Sequence, residues 1–323
     1  MKNLCFVIST FKKSGPINIV FNIAKFLDKK KFRLFIISLS KTTGTDNNSI
    51  QEFKSLGVTT HELSNGRITG LIKNKKEIKD FIKKNEIDII HTHGLRPDTL
   101  VCGLNIKAKQ ISTLHNFPFD DYTMKYGTLK GKLMAYYHIN AIKKIDNIVA
   151  CSKSLSTLYK NRIGLQVKYV QNGVDLSRFT GSVDKFELRK KLKLPLNKKI
   201  FIYIGSLIPR KSPVETIKKF IELEISNDYC LLVLGDGLLM DECKHLEGRN
   251  IIIEGNVHNV SAYLYASDYF ISLSKSEGLP NTVMEAMAAK LPVILSEIPA
   301  HLEILNIDSH AGVIVNQNNF NSK

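Results

Sequence analysis

Two glutamates with seven residues between them, Glu277 and Glu285, bracket a loop-to-helix junction within Ser272–Leu295. The apolar runs Tyr269–Ser274 and Pro292–Leu295 have the length of buried parallel strands, and the Ala/Met/Glu-rich segment Pro280–Lys290 is helix-forming. Pro280 suits the first helical turn, where a missing N–H removes no bond. Gly278 lets backbone come close to a ligand, and the amides of about Pro280–Val283 open a helix N-terminus that favours anions. A carboxylate set against phosphate would repel it, so the glutamates suit donors such as sugar and ribose hydroxyls. The same spacing also fits a capping acid followed by a solvated helix residue, and spacing alone leaves both readings open.

Further candidates lie where strands are expected to end. Ile87–His91 runs into HTHGLRPD, with His91 and His93 expected on opposite sides of the extended chain. A metal there would need a third ligand, which the neighbouring sequence does not offer. Packed or loop-ordering roles and an acceptor-side role both stay open for these two. The strand Gln110–Leu114 ends at His115 and Asn116. In the second half, Ile200–Gly205 leads into GSLIPRKSP, which places Arg210 and Lys211 side by side beyond a strand's carboxyl end, where open α/β sheets bind ligands. Cys230–Leu234 leads into a tight turn at Gly235.

The elements that must position these residues alternate along the chain. Strands are expected at Leu4–Thr10, Phe32–Leu39 and Val58–His61. Helices are expected at Asn18–Leu27, Ile50–Leu56, Leu71–Lys84 and Gly127–Lys144, with a polar loop at Thr42–Asn48 and an aromatic, acidic stretch at Phe117–Tyr126. Such alternation predicts βαβ units and parallel sheets. The 323 residues leave room for two domains. No run of 18 apolar residues occurs, and MKNLCFVIST reads as a first strand rather than a signal peptide. Five scattered cysteines without metal spacing read as reduced thiols of a cytoplasmic protein. Charge divides unevenly. Residues 1–195 carry 35 Lys and Arg against 15 Asp and Glu, a net +20, while residues 196–323 carry 11 against 15, a net −4. The basic half suits anionic headgroups or a phosphate-bearing acceptor. Nucleic acid is not expected as a partner, because no recognisable nucleic-acid module or Arg/aromatic cluster appears. The helix Gly127–Lys144 carries lysines and Tyr136 and Tyr137, which fits either a membrane-surface helix or an ordinary surface helix.

The stretch SEGLPNTVMEAMAAKLPVI around Glu277 and Glu285 resembles the paired-glutamate motif of retaining glycosyltransferases of family 4, the group 1 glycosyl transferases that include bacterial surface-polysaccharide enzymes. The resemblance implies an α/β chain of GT-B type, two Rossmann-like domains facing a cleft. Residues 1–175 would form the acceptor-side domain, 176–197 a linker, and 198–323 a nucleotide-sugar-binding domain. That second domain would lack the family's usual final helices, because the chain stops at NQNNFNSK.

Residue by residue, the resemblance places Glu277 and His115 at the donor sugar, Glu285 on the ribose, and Arg210 and Lys211 on the diphosphate. Ser206 stands where an arginine is usual, and Arg210 supplies that charge from nearby. Gly278, Leu279, Pro280, Asn281, Thr282 and Gly235 would line the donor, and Gly15 would keep one glycine of the family's first loop. No cofactor and no metal are implied. The implied reaction moves a sugar from a nucleotide-sugar, with UDP expected, to a hydroxyl of a glycan or lipid-linked acceptor. The expected place is the cytoplasm, peripheral on the inner face of the membrane. A non-catalytic nucleotide-sugar-binding subunit and a sugar-nucleotide epimerase share the fold; turnover with and without an acceptor separates them.

Overall fold

The computed structural model describes residues 1–41, 48–63, 71–181, 183–223 and 227–316. Residues 42–47 of the expected polar loop, and the terminal run 317–323, lie outside them. The chain divides into two compact units: one of Met1–Thr123 with Thr128–Gly173, the other of Met124–Gly127 with Val174–Lys323.

The first unit is built from β1 (Lys2–Ile8), α1 (Gly15–Phe26), β2 (Phe32–Ser38), α2 (Asn48–Ser55), β3 (Thr59–Glu62), α3 (Leu71–Lys84), β4 (Ile89–His93), α4 (Leu95–Val101), β5 (Lys109–Leu114), α5 (Pro118–Tyr126), α6 (Thr128–Ile142), β6 (Asn147–Ala150), α7 (Lys153–Ile163) and the short β7 (Lys168–Tyr169). Its sheet has the order β3-β2-β1-β4-β5-β6-β7, with every pairing parallel. β1 shows how period two builds this core. Cys5 and Val7 pack with Phe35, Ile37, Ile78 and Leu100 on one face, while Leu4, Phe6 and Ile8 pack with Val20, Ile36 and Phe53 on the other. A strand apolar on both sides is what a sheet covered by helices on both faces requires.

Two elements of this unit differ from expectation. Phe117–Tyr126 is not irregular: Pro118 opens α5, and Asp120 and Asp121 occupy its first turn, where helix N-termini favour both. α4, absent from the sequence reading, starts beyond Gly94 (φ 95°) despite Pro97.

The second unit contains α8 (Lys185–Lys191), β8 (Lys199–Ile204), α9 (Pro213–Glu222), β9 (Tyr229–Leu234), α10 (Met240–Lys244), β10 (Ile251–Gly255), α11 (Val260–Ala266), β11 (Tyr269–Ser272), α12 (Asn281–Ala288), β12 (Val293–Ser296), α13 (Pro299–Leu305) and β13 (Gly312–Val315). Its parallel sheet runs β10-β9-β8-β11-β12-β13. Strand order reverses beside β8, between its partners β9 and β11, as it does beside β1 in the first unit. The crevice beyond the carboxyl ends at such a reversal is where open α/β sheets bind ligands. α8 is anchored in this unit by buried Arg189, which donates to Ala266 O (2.8 Å), Lys198 O (2.8 Å) and Asp268 Oδ2 (2.6 Å).

Candidate active site

At the reversal in the second unit, the turn after β8 and the loop after β11 meet through charge. Pro209–Lys211 forms one 3-10 turn, and both of its cations reach Glu277. Arg210 Nη1 lies 3.0 Å from Oε2, and Lys211 Nζ bonds Oε1. Arg210 also donates to Ser276 O, and its backbone carbonyl accepts from Lys275 N, so the two loops are tied by backbone as well. Burial would raise the Glu277 carboxyl; Lys211 and Arg210 outweigh it and hold the group at about 2.

Beneath Glu277 lies a polar layer that sequence reasoning missed. Ser274 Oγ donates to Glu277 Oε1 (2.8 Å), Ser296 Oγ donates to Ser274 O (2.6 Å), and His301 Nδ1 lies 2.9 Å from Ser296 O. Burial pushes His301 down to about 4, against the pull of Glu277. Only the two serines Ser272 and Ser274 on either side of Leu273 signalled this layer.

α12 starts at Asn281, one residue later than expected, with Pro280 as its N-cap and Thr282 in its first turn. Gly278 and Leu279 belong to the loop that leads into it. Glu285, eight residues beyond Glu277, is buried rather than solvated. Its Oε1 accepts from Arg178 Nη1 at 2.9 Å, and burial raises its carboxyl even against that cation. Arg178 follows the cap made by Asp175, whose Oδ1 accepts from Ser177 N, and the sequence analysis gave it no role. Behind the loops, Gly235 (φ 136°) lies so close to β8 that a β-carbon would sit 1.8 Å from Gly205 O. Backbone therefore meets backbone there, and no other residue fits.

The first unit brings its histidines together. His91 and His93 are two residues apart on β4, so they share a face, contrary to the expectation of opposite sides; their ring centroids are 4.4 Å apart. Both lie on the face of Phe6. His91 Nε2 is 2.7 Å from Thr113 Oγ1, and His93 Nδ1 is 2.9 Å from His115 Nε2, just beyond β5. Burial lowers His91 and His115 to about 4 and His93 well below its ordinary value. On the opposite face, fully buried Asp98 of α4 accepts from Thr92 and from Ser112 (2.8 Å), and His138 of α6 lies 2.7 Å from its other oxygen. Gly15 is the first residue of α1, with nothing within 4 Å of where its β-carbon would be. Among the described residues no group of three or more His, Cys, Asp or Glu is placed to hold a metal ion.

The sequence pattern of Glycosyltransferase Family 4 matches residues 14–178, half of the chain. The chain belongs to Glycosyltransferase Family 4. A second pattern, glycosyl transferases group 1, matches residues 184–322. This glycosyltransferase is 27% identical over 278 residues to the Escherichia coli UDP-Gal:alpha-D-GlcNAc-diphosphoundecaprenol alpha-1,3-galactosyltransferase, covering 77% of this chain and 72% of that one. It is 26% identical over 314 residues to the E. coli O-antigen biosynthesis glycosyltransferase WclY, covering 94% and 82%. In fold it is similar to Anabaena Alr3699/HepE in complex with UDP-glucose, with TM-score 0.82 and 15% identity over 99% of this chain and 88% of that one.

Proposed function

We propose that this glycosyltransferase moves a sugar from a UDP-sugar to a hydroxyl of a lipid-linked glycan with retention of anomeric configuration and without a metal, in surface-polysaccharide assembly. The observation that carries the reading is Glu277 held between Arg210 and Lys211 at the strand reversal, with Glu285 eight residues on. Donor binding shares the two cations between the Glu277 carboxylate and the diphosphate. Their charge, with the start of α12, meets the negative charge that grows on the departing nucleotide, a contribution that preorganised donors make at no reorganisation cost. Glu277 orients the sugar and steadies positive character at its anomeric carbon. Glu285, steered by Arg178, takes the ribose hydroxyls, and His115 donates to a sugar hydroxyl. UDP is favoured by the names of a relative that uses UDP-Gal and of a neighbour that holds UDP-glucose.

A lipid-linked acceptor is supported by that relative's diphosphoundecaprenol substrate and by α6. This helix turns Gly131, Ala135, His138, Ile139 and Ile142 inward, and a β-carbon on Gly131 would strike the Tyr122–Thr123 backbone at 2.5 Å. Leu129, Leu133, Tyr136 and Tyr137 face outward, between 57% and 87% exposed, with Lys130, Lys132, Lys143 and Lys144 beside them. Large apolar residues outside and lysines along the flanks suit a helix lying on an anionic bilayer. No helix among the described residues is long and apolar enough to cross a membrane.

Calorimetric titration with UDP and GDP tests the donor site. The expected result is binding of UDP that is lost in Glu285→Ala, and binding of neither nucleotide would remove the donor assignment. Flotation with phosphatidylglycerol vesicles tests α6. Binding is expected for the native chain and absent from Leu129→Ser/Leu133→Ser, and equal binding by both would sink the membrane surface.

A further inference from the structure

The histidine cluster of the first unit contains one asymmetry that fixes proton positions. His93 Nε2 is buried and has no hydrogen-bond partner among the described residues, while His93 Nδ1 lies 2.9 Å from His115 Nε2. Two arrangements satisfy that contact. In one, His115 Nε2–H donates to a bare His93 Nδ1, and neutral His93 must then carry its proton on Nε2, inside apolar surroundings that include Phe6, with nothing to accept it. In the other, His93 Nδ1–H donates, and the atom left without a partner is only a lone pair. An orphaned N–H is the costlier of the two, and buried ones are correspondingly rare. The second arrangement wins.

Its consequence passes to His115. Because Nε2 of His115 accepts, its own proton resides on Nδ1, which has no hydrogen-bond partner among the described residues and belongs to a half-buried side chain. We infer that His93 is a positioning residue that locks His115 as the Nδ1–H tautomer, so that His115 turns a fixed N–H donor toward the oxygen of its ligand. A histidine side chain in water prefers the opposite tautomer, so the lock is a property of the pair. His91, with Nε2 on Thr113 Oγ1, packs tilted against His93 and stiffens it without competing for the His115 nitrogen. The low proton affinity that burial gives His115 and His93 agrees with a neutral pair. A neutral donor meets a hydroxyl oxygen without carrying a desolvated charge. The role in transfer rests on the reading that His115 meets the donor sugar; the proton position does not.

Long-range 15N–1H correlation spectra of the histidine-labelled full chain test both parts. In the native protein, His115 and His93 are expected to show pyrrole-type Nδ1 and pyridine-type Nε2. His93→Asn, whose carboxamide can donate from the same place, is expected to keep the His115 proton on Nδ1. His93→Leu is expected to release it to a mixture dominated by Nε2–H. With UDP-sugar and acceptor, kcat should fall about tenfold in His93→Leu, the scale of one lost oriented hydrogen bond, and recover in His93→Asn. A native His115 with its proton on Nε2 overturns the inference, as does a His93→Leu chain whose His115 tautomer is unchanged. A native chain that shows the expected tautomers but transfers no sugar would instead overturn the functional reading and leave the lock standing.

Discussion

Glu277 in the second unit and the His91–His93–His115 cluster in the first meet burial in opposite ways. The second unit buries charge and neutralises it by pairing: Glu277 is held at about 2 between Lys211 and Arg210, over a layer of hydroxyls. The first unit buries rings and keeps them uncharged: His91 and His115 are lowered to about 4 by removal from water. The difference bears on what each unit suits chemically. A site that stores cations against a carboxylate is prepared for a multiply charged ligand, because an incoming diphosphate can take a share of charge already desolvated. Neutral rings suit hydroxyls, which are read by direction rather than by charge.

The comparison breaks most visibly at Glu277. Glu277→Ala should reduce transfer by about 10³-fold or more in a steady-state assay, since it removes the group proposed to meet the sugar and leaves two cations without their carboxylate. Normal turnover would end the proposed mechanism. Arg210→Ala should destabilise the second unit by about 3 kcal/mol in urea unfolding, because it removes one partner of a buried pair. A change near zero would mean that Lys211 alone holds Glu277. Lys211→Ala should weaken UDP binding by about tenfold in calorimetry, the scale of a charge-assisted contact. Asp98→Asn, in the first unit, should cost about 1–2 kcal/mol and leave UDP affinity unaltered, because it disturbs hydrogen bonds to Ser112 and His138 and touches neither cation of the second unit.

Acid sharpens the same contrast. His91 and His115 bind protons at about 4 when folded and near 6.5 when unfolded. Between those values the unfolded chain takes up protons that the folded unit refuses, so the first unit loses stability as pH falls from 6.5 toward 4. Glu277 is held at about 2 against an ordinary 4.5, so its contribution is complete above 4.5 and is lost only as pH falls toward 2. His301 adds a single group to the earlier window in the second unit. Thermal unfolding followed across pH 7 to 3 should therefore show the first unit failing at the milder acidity. Simultaneous loss of both units would contradict the assignment of cause.

Legibility followed sequence distance. The α12 region could be read because its strand, loop, helix and strand are contiguous and its glutamates lie within one short stretch. Arg210 and Lys211 could be read because a strand end exposes whatever follows it. The Arg178–Glu285 pair could not, because 107 residues separate its members and neither carries a local signal. His301 under Glu277 was hidden for the same reason. The two-residue spacing of His91 and His93 did contain the answer, since extended chains repeat every two residues; carrying β4 through to His93 gives their shared face. α5 was also legible in its proline and paired aspartates, which its aromatic residues obscured.

The contact of Gly235 with the carbonyl of Gly205 has a consequence for anyone varying the loops beyond β8 and β9. A saturation library at position 235 will return glycine alone, because the space for a side chain is already filled by another strand's main chain. Diversity belongs instead at Ser206, exposed on one side of that junction, and at Leu238, 81% exposed on the other, where side chains can change while the two loops keep their separation.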